Sequence, residues 1–191
     1  MKVSEQAAEA ARGAGLAGPY ARELEVVIKL ARAAGAAALV HYGGPLRIIH
    51  KSENADPVTQ ADTAANDVIV AGLQAEFPAD GLLSEESVDT VRRLELRRVW
   101  MVDPLDGTNG FIAGDGDFAV QIGLAIAGAA ALGVVYLPAT DVLYYAARGH
   151  GAYRGALAGA CAFAEVFRHE VPQHDAAAIA GHPSATIGRD V

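Results

Sequence analysis

Between Tyr20 and Tyr42 the apolar residues Leu24, Val27, Ile28, Ala31, Ala38 and Leu39 return at the spacing of one helix face. Gly43-Gly44-Pro45 closes this pattern with residues that leave a helix or cannot continue one, so the spacing predicts an amphipathic helix that ends there. A short apolar run, Leu46 to Ile49, leads into the polar stretch Lys51-Ser52-Glu53-Asn54-Ala55-Asp56-Pro57, which reads as a loop or hairpin. A second helix is predicted from near Ala61. It sets Ile69, Leu73 and Phe77 on one face at four-residue intervals and stops at Pro78, because the residue before a proline is pushed out of the helical region.

Beyond Pro78 the texture changes to short β-like runs: Leu82-Leu83, Val99 to Val102, Ala119 to Ala127, Ala131 to Leu137 and Val142 to Ala147, separated by turns containing Gly, Pro or Asp. Sequential strands with such short links are expected to pair antiparallel. Two helices followed by an antiparallel meander give an α+β layered arrangement, with the helices packed on one face of the sheet. From about Gly155 onward the chain is rich in Ala and His and shows neither strand alternation nor a helical stripe, so no element is predicted there.

Composition narrows the function classes. The 191 residues suffice for a packed core, and 52% hydrophobic content can fill it. A net charge of −8 argues against holding extended nucleic acid, which needs an excess of Lys and Arg to displace phosphate counterions. One cysteine, Cys161, leaves no internal disulfide framework and no cysteine-built metal site. The segment Met1 to Gly18 alternates Glu and Arg with Ala and lacks the apolar core of a signal peptide, and the run Ala125 to Leu137 is too short to span a bilayer. A soluble, cytoplasmic protein is the expectation.

The candidate chemistry centres on Asp103-Pro104-Leu105-Asp106-Gly107-Thr108. The proline is expected to force a turn directly after the strand Val99 to Val102, so that two carboxylates three residues apart converge with the Leu105 carbonyl on one point. Hard cations such as Mg²⁺ take oxygen ligands of this kind. Gly107 lets backbone approach a ligand, and a helix starting here would offer the N–H groups of Gly107 and Thr108 to a phosphate oxygen. Asp, Pro and Gly also dominate ordinary turns, a Glu-Glu pair such as Glu85-Glu86 is most often a solvated loop, and an Asp at a helix start such as Asp62 is most often a cap. Company separates these readings: Asp56-Pro57-Val58-Thr59-Gln60-Ala61-Asp62, then Leu83-Ser84-Glu85-Glu86-Ser87, then the Asp103 motif.

In this order the three motifs resemble the inositol monophosphatase superfamily, metal-dependent and typically lithium-sensitive phosphatases. The resemblance runs from about Lys51 to Tyr153 and includes Val99-Trp100-Met101-Val102, Thr108-Asn109-Gly110-Phe111, Gly133-Val134-Val135-Tyr136 and Gly149-His150-Gly151-Ala152-Tyr153. Within the superfamily the motifs look most like bacterial 3′(2′),5′-bisphosphate nucleotidases. The resemblance implies a layered sandwich of the sugar-phosphatase type. It implies Mg²⁺ held by Glu85, Asp103, the Leu105 carbonyl and Asp106, and a water positioned and activated by Asp62 and Thr108 with Glu85 in the catalytic set. It gives Lys51 a supporting role, the substrate phosphate to Gly107 and Thr108, and a homodimer as a partner state. Clustered carboxylates that repel one another suit a metal cradle.

The expected reaction is hydrolysis of the 3′-phosphate of 3′-phosphoadenosine 5′-phosphate by two-metal activation of water, with inositol-1-phosphate as the alternative substrate. The superfamily also carries a later Trp-Asp-x-Ala-type motif on a second α/β portion, whereas Trp100 is the only tryptophan here and precedes Asp103. The expectation is therefore a metal-binding phosphatase domain over 1–154, with 155–191 a divergent or truncated tail. His169, His174 and His182 in that tail are too irregularly spaced to read as a metal set. A catalytically weak metal-binding fragment is the rival from another class.

Overall fold

The computed structural model describes residues 18–50, 57–156 and 164–167. Lys51, Asp56, Cys161, His169, His174 and His182 lie outside the described residues.

The first helical stripe becomes α1, Ala21–Leu39, and buries Leu24, Val27, Ala31 and Ala38, while Leu39 at its end stays exposed. A glycine in the middle of a helix costs about 1 kcal/mol relative to alanine. Gly35 has a packing reason, since a Cβ there would lie 2.6 Å from the ring of Tyr136 on the sheet. The run after α1 forms β1, Ile48–His50, which pairs antiparallel with β2, Pro57–Thr59, as the hairpin reading expects.

The second helix, α2, spans Gln60–Glu76, and Ile69, Leu73 and Phe77 all bury on the face that the spacing predicts. The chain leaves the helix at Phe77, whose N–H still bonds the Leu73 carbonyl at 2.8 Å. Complete burial of a side chain such as Ile69 contributes about 1.5–3 kcal/mol.

Seven strands follow in one sheet: β3 Gly81–Ser84, β4 Arg98–Asp106, β5 Ala119–Ile126, β6 Ala129–Leu137, β7 Val142–Ala147, β8 Ala152–Ala156 and β9 Ala164–Phe167. Their order in the sheet follows their order in the chain. Val120, Ile122 and Leu124 of β5 alternate onto the face buried under α1 and α2, together with Trp100, Val134 and Leu143. Opposite them, Met101 and Tyr144 remain exposed on the other face. The Trp100 indole N–H donates to Asp80 Oδ2 at 2.9 Å, and Arg98 bridges Asp80 to Glu23 of α1, so strand, loop and helix are tied at one end of the core.

Three expectations are corrected. β3 and β4 run parallel, with Gly81 opposite Val99 and Ser84 opposite Val102. The link between them, which contains a 3₁₀ turn at Val91–Glu95, is long enough to carry the chain back to the starting end of the sheet. Pro104 does not end β4. The strand continues to Asp106 through an irregularity between Asp103 and Asp106, beyond the last residue paired with β3, where an absent N–H breaks no ladder bond on that side. Lastly, the segment judged patternless from Gly155 continues the sheet: β8 reaches Ala156, and β9 pairs with it. Strands of only four or five residues carry too little alternation to be read from sequence.

Candidate active site

The three motifs come from separate elements, and the fold carries them toward the same end of β3 and β4. Asp62 is the third residue of α2 and almost fully buried. Its Oδ2 accepts from the Thr59 N–H and the Thr59 hydroxyl, both at 2.7 Å, while Thr59 Oγ1 accepts from the Ala61 N–H, forming a capping box. Its Oδ1 accepts from the Thr108 hydroxyl at 3.0 Å. One oxygen therefore caps its own helix while the other reaches a residue 46 positions away.

Thr108 begins a short helix, α3, Thr108–Ala113, entered through Gly107 in the left-handed region at φ 84°. A side chain at Gly107 would also meet the Asp117 carbonyl, 2.6 Å from an added Cβ, so this position requires glycine on two counts. Phe111 of α3 packs edge-on against Phe118 at 4.8 Å, and Tyr42 lies against both rings, which fixes the helix to the core. The Thr108 hydroxyl also lies 3.1 Å from the Leu105 carbonyl. Its single proton serves either the carbonyl or Asp62 at one time.

Glu85 follows β3, and its N–H donates to the Val102 carbonyl at 3.1 Å, extending the parallel ladder. The side chains of Glu85 and Asp103 meet. Burial, the Glu85 charge and the Asp106 charge together push the Asp103 carboxyl up to about 7, and the Leu105 N–H donated to its Oδ1 at 3.2 Å offsets this only in part. Asp106 is exposed, and the Gln121 side-chain amide donates to its Oδ2. Among the described residues, no three His, Cys, Asp or Glu side chains have closed into a geometry that holds a metal ion. Glu85 and Asp103 are together, whereas Asp106 is turned to Gln121 through one of its two oxygens. The donor set of three carboxylates and the Leu105 carbonyl consists entirely of hard oxygen, which fits Mg²⁺ in chemistry.

Glu85 and Asp103 also line an open cleft of about 530 Å³ whose other walls include Leu83, Met101, Gly123 and Val135. Gln121 and Asn66 are polar residues at this end of the molecule that the motif reading missed, and Ser84, inside one of the motifs, had no role assigned to it. Gln121 had a signal: it interrupts the apolar run of β5 directly opposite Asp103.

The combination of two helices on a largely antiparallel sheet with these three acidic motifs defines a sugar-phosphatase-like class of fold. The inositol monophosphatase family profile matches residues 20–182, and the chain belongs to that family. Among curated relatives it is 46% identical over 129 residues to the 3′(2′),5′-bisphosphate nucleotidase CysQ of Salmonella typhimurium, covering 66% of this chain and 52% of that protein. It is 40% identical over 131 residues to a histidinol-phosphatase of Chlorobaculum parvum, covering 69% and 50%.

Among solved structures, the extragenic suppressor protein suhB of Bartonella henselae is similar at TM-score 0.65 and 36% identity, covering 70% of this chain and 52% of that one. CysQ of Bacteroides thetaiotaomicron is similar at TM-score 0.60 and 36% identity, covering 71% and 49%. The chain thus spans about half the length of the curated relatives it matches. Among the described residues, no helix is long and apolar enough to cross a membrane.

Proposed function

We propose that this chain is a Mg²⁺-dependent phosphomonoesterase that removes the 3′-phosphate of 3′-phosphoadenosine 5′-phosphate. The observation carrying this reading is the Thr108 hydroxyl within donating distance of both Asp62 Oδ1 and the Leu105 carbonyl, beside the Glu85–Asp103 pair. Identity of about 46% to a bisphosphate nucleotidase favours this substrate class.

In this reading Glu85, Asp103, Asp106 and the Leu105 carbonyl hold the metal ions. Bound Mg²⁺ supplies positive charge that makes water more acidic and neutralises the leaving oxygen. Asp62 accepts the Thr108 proton, which leaves the Thr108 oxygen to accept one from the attacking water and so to aim its lone pair at phosphorus. The N–H groups of Gly107 and Thr108 bind a phosphate oxygen. The P–O ester bond breaks as the new P–O bond forms in line, and the products are an alcohol and inorganic phosphate. A homodimer belongs to the same reading, and sedimentation velocity tests it.

The substrate assignment is tested by comparing kcat/KM for 3′-phosphoadenosine 5′-phosphate, inositol-1-phosphate and histidinol phosphate. A preference of tenfold or more for the bisphosphate supports it. Equal turnover of all three, or a preference for either of the others, overturns it. The open arrangement of the carboxylates, with no three of them placed to hold an ion together among the described residues, favours a second reading, a metal-binding chain with weak catalysis. Mg²⁺ raising the Tm without any phosphate release would support that alternative.

A further inference from the structure

Thr59, Asp62, Asn66 and Ser84 are the buried polar or charged side chains among the described residues, and all four lie at the candidate site. A buried polar group is costly unless it is hydrogen-bonded, and an apolar side chain of similar size would fill the same space at lower cost. Thr59 and Asp62 are accounted for by the helix cap and Thr108. Asn66 and Ser84 are not.

Asn66 stands one turn beyond Asp62 on the same face of α2. Its Oδ1 accepts from the Ser84 hydroxyl at 2.6 Å, and its Nδ2 donates to Ser87 Oγ at 3.1 Å. Ser84 Oγ in turn accepts from the Glu86 N–H at 3.3 Å. Ser84 and Ser87 thus fasten both ends of the short turn that carries Glu85, and the Glu85 N–H itself is taken by the Val102 carbonyl. One helix face therefore reaches two catalytic loops: through Asp62 it holds the start of α3, and through Asn66 it holds the turn after β3.

We propose that Asn66 is a positioning residue whose Ser84–Ser87 clamp fixes the Glu85 carboxylate relative to the Asp62–Thr108 pair and thereby sets divalent-metal affinity. The inference rests on the metal-site reading above for its functional consequence, while the clamp itself is independent of metal. Groups that orient metal ligands typically cost 10- to 100-fold in affinity or activity when removed.

The test compares the full 191-residue chain with its Asn66→Ala, Ser84→Ala and Ser87→Ala variants. Leu143→Ala, a fully buried position on β7 away from the site, serves as a control for general destabilisation. Amide hydrogen exchange without metal reads the clamp directly, and faster exchange at Glu86 is expected in Asn66→Ala and Ser84→Ala. Mn²⁺ affinity by electron paramagnetic resonance reads the consequence. A weakening of about tenfold or more is expected for Asn66→Ala and Ser84→Ala and a smaller one for Ser87→Ala. Half-maximal activity should need correspondingly more Mg²⁺, with kcat at saturating Mg²⁺ largely retained.

Unchanged exchange at Glu86 overturns the clamp. Loosened exchange with unchanged Mn²⁺ affinity overturns the positioning role, as does an equal loss of affinity in Leu143→Ala. If the wild-type chain binds no Mn²⁺, the metal-site reading fails and Asn66 loses its functional role, while the exchange data still judge the clamp. Should Asn66→Ala fail to fold, Ser84→Ala, which removes the hydroxyl joining Asn66 to the Glu86 N–H, carries the same comparison.

Discussion

Asp62 serves two structures with one carboxylate, and the division explains why its role was ambiguous in sequence. Through Oδ2 it closes the capping box on Thr59, which is the N-cap, while through Oδ1 it accepts from Thr108 of another motif. No local pattern separates them, because the partner lies in another motif. Thr108→Val removes the hydroxyl that joins the two motifs. It should lower kcat by about 100-fold or more while costing about 1 kcal/mol of stability, and Thr108→Ser should keep most of the activity. Steady-state kinetics beside thermal unfolding checks both.

Asp103 gives a pH dependence with a definite sign. In the metal-free protein its carboxyl titrates near 7, against an ordinary value of 3.8. Between those values the folded state holds a proton that the unfolded chain has released, so its contribution to stability is complete below about 4 and is lost as pH rises toward 7. The Tm of metal-free protein should fall over that range, and Asp103→Asn should flatten the fall. A wild-type Tm that rises steadily from pH 4 to 7 while the Asn variant follows the same curve would contradict this.

At the scale of elements, both helices were legible because each carries a long apolar stripe at helical period with a breaker at its end. Of the five strand runs, four were legible because β4 to β7 alternate or are continuously apolar, and the fifth, in β3, was marked by its Leu82-Leu83 pair. What escaped was long-range or weakly patterned. The parallel pairing of β3 with β4 depends on where the Val91–Glu95 segment travels, which no local spacing encodes. β8 and β9, of five and four residues, are too short for an alternation to show. The Asp103 motif was read as a sharp turn and is a strand irregularity, since Pro and Asp signal both.

Gly107 was legible as a special position, and the structure adds the Asp117 carbonyl behind it. Gly107→Ala should therefore cost at least about 1–2 kcal/mol from the left-handed backbone alone, with a further loss from the carbonyl contact. Because α3 would shift with it, activity should fall further than stability. Chemical denaturation beside turnover measures the pair, and an Ala variant of wild-type stability would refute the close packing at this turn.

For the whole molecule, one sheet face is buried beneath α1 and α2, while the other exposes Met101 and Tyr144 and opens the cleft beside Glu85 and Asp103. The family assignment and the three acidic motifs were available from sequence, because short motifs in a fixed order survive without knowledge of the fold. The Asn66 and Gln121 contacts were not: Gln121 stands out as the polar break in β5, but its partner, like those of Asn66, lies on another element that no local spacing names.

The most direct test of the proposed chemistry is phosphate release from 3′-phosphoadenosine 5′-phosphate by this chain, with Mg²⁺ and with chelator, beside Asp106→Asn. Release that requires Mg²⁺ and falls by at least about 100-fold in the variant is expected for a carboxylate-held metal that drives hydrolysis. Release that persists in chelator or in Asp106→Asn, or no release from a folded wild-type chain at saturating Mg²⁺, would contradict it.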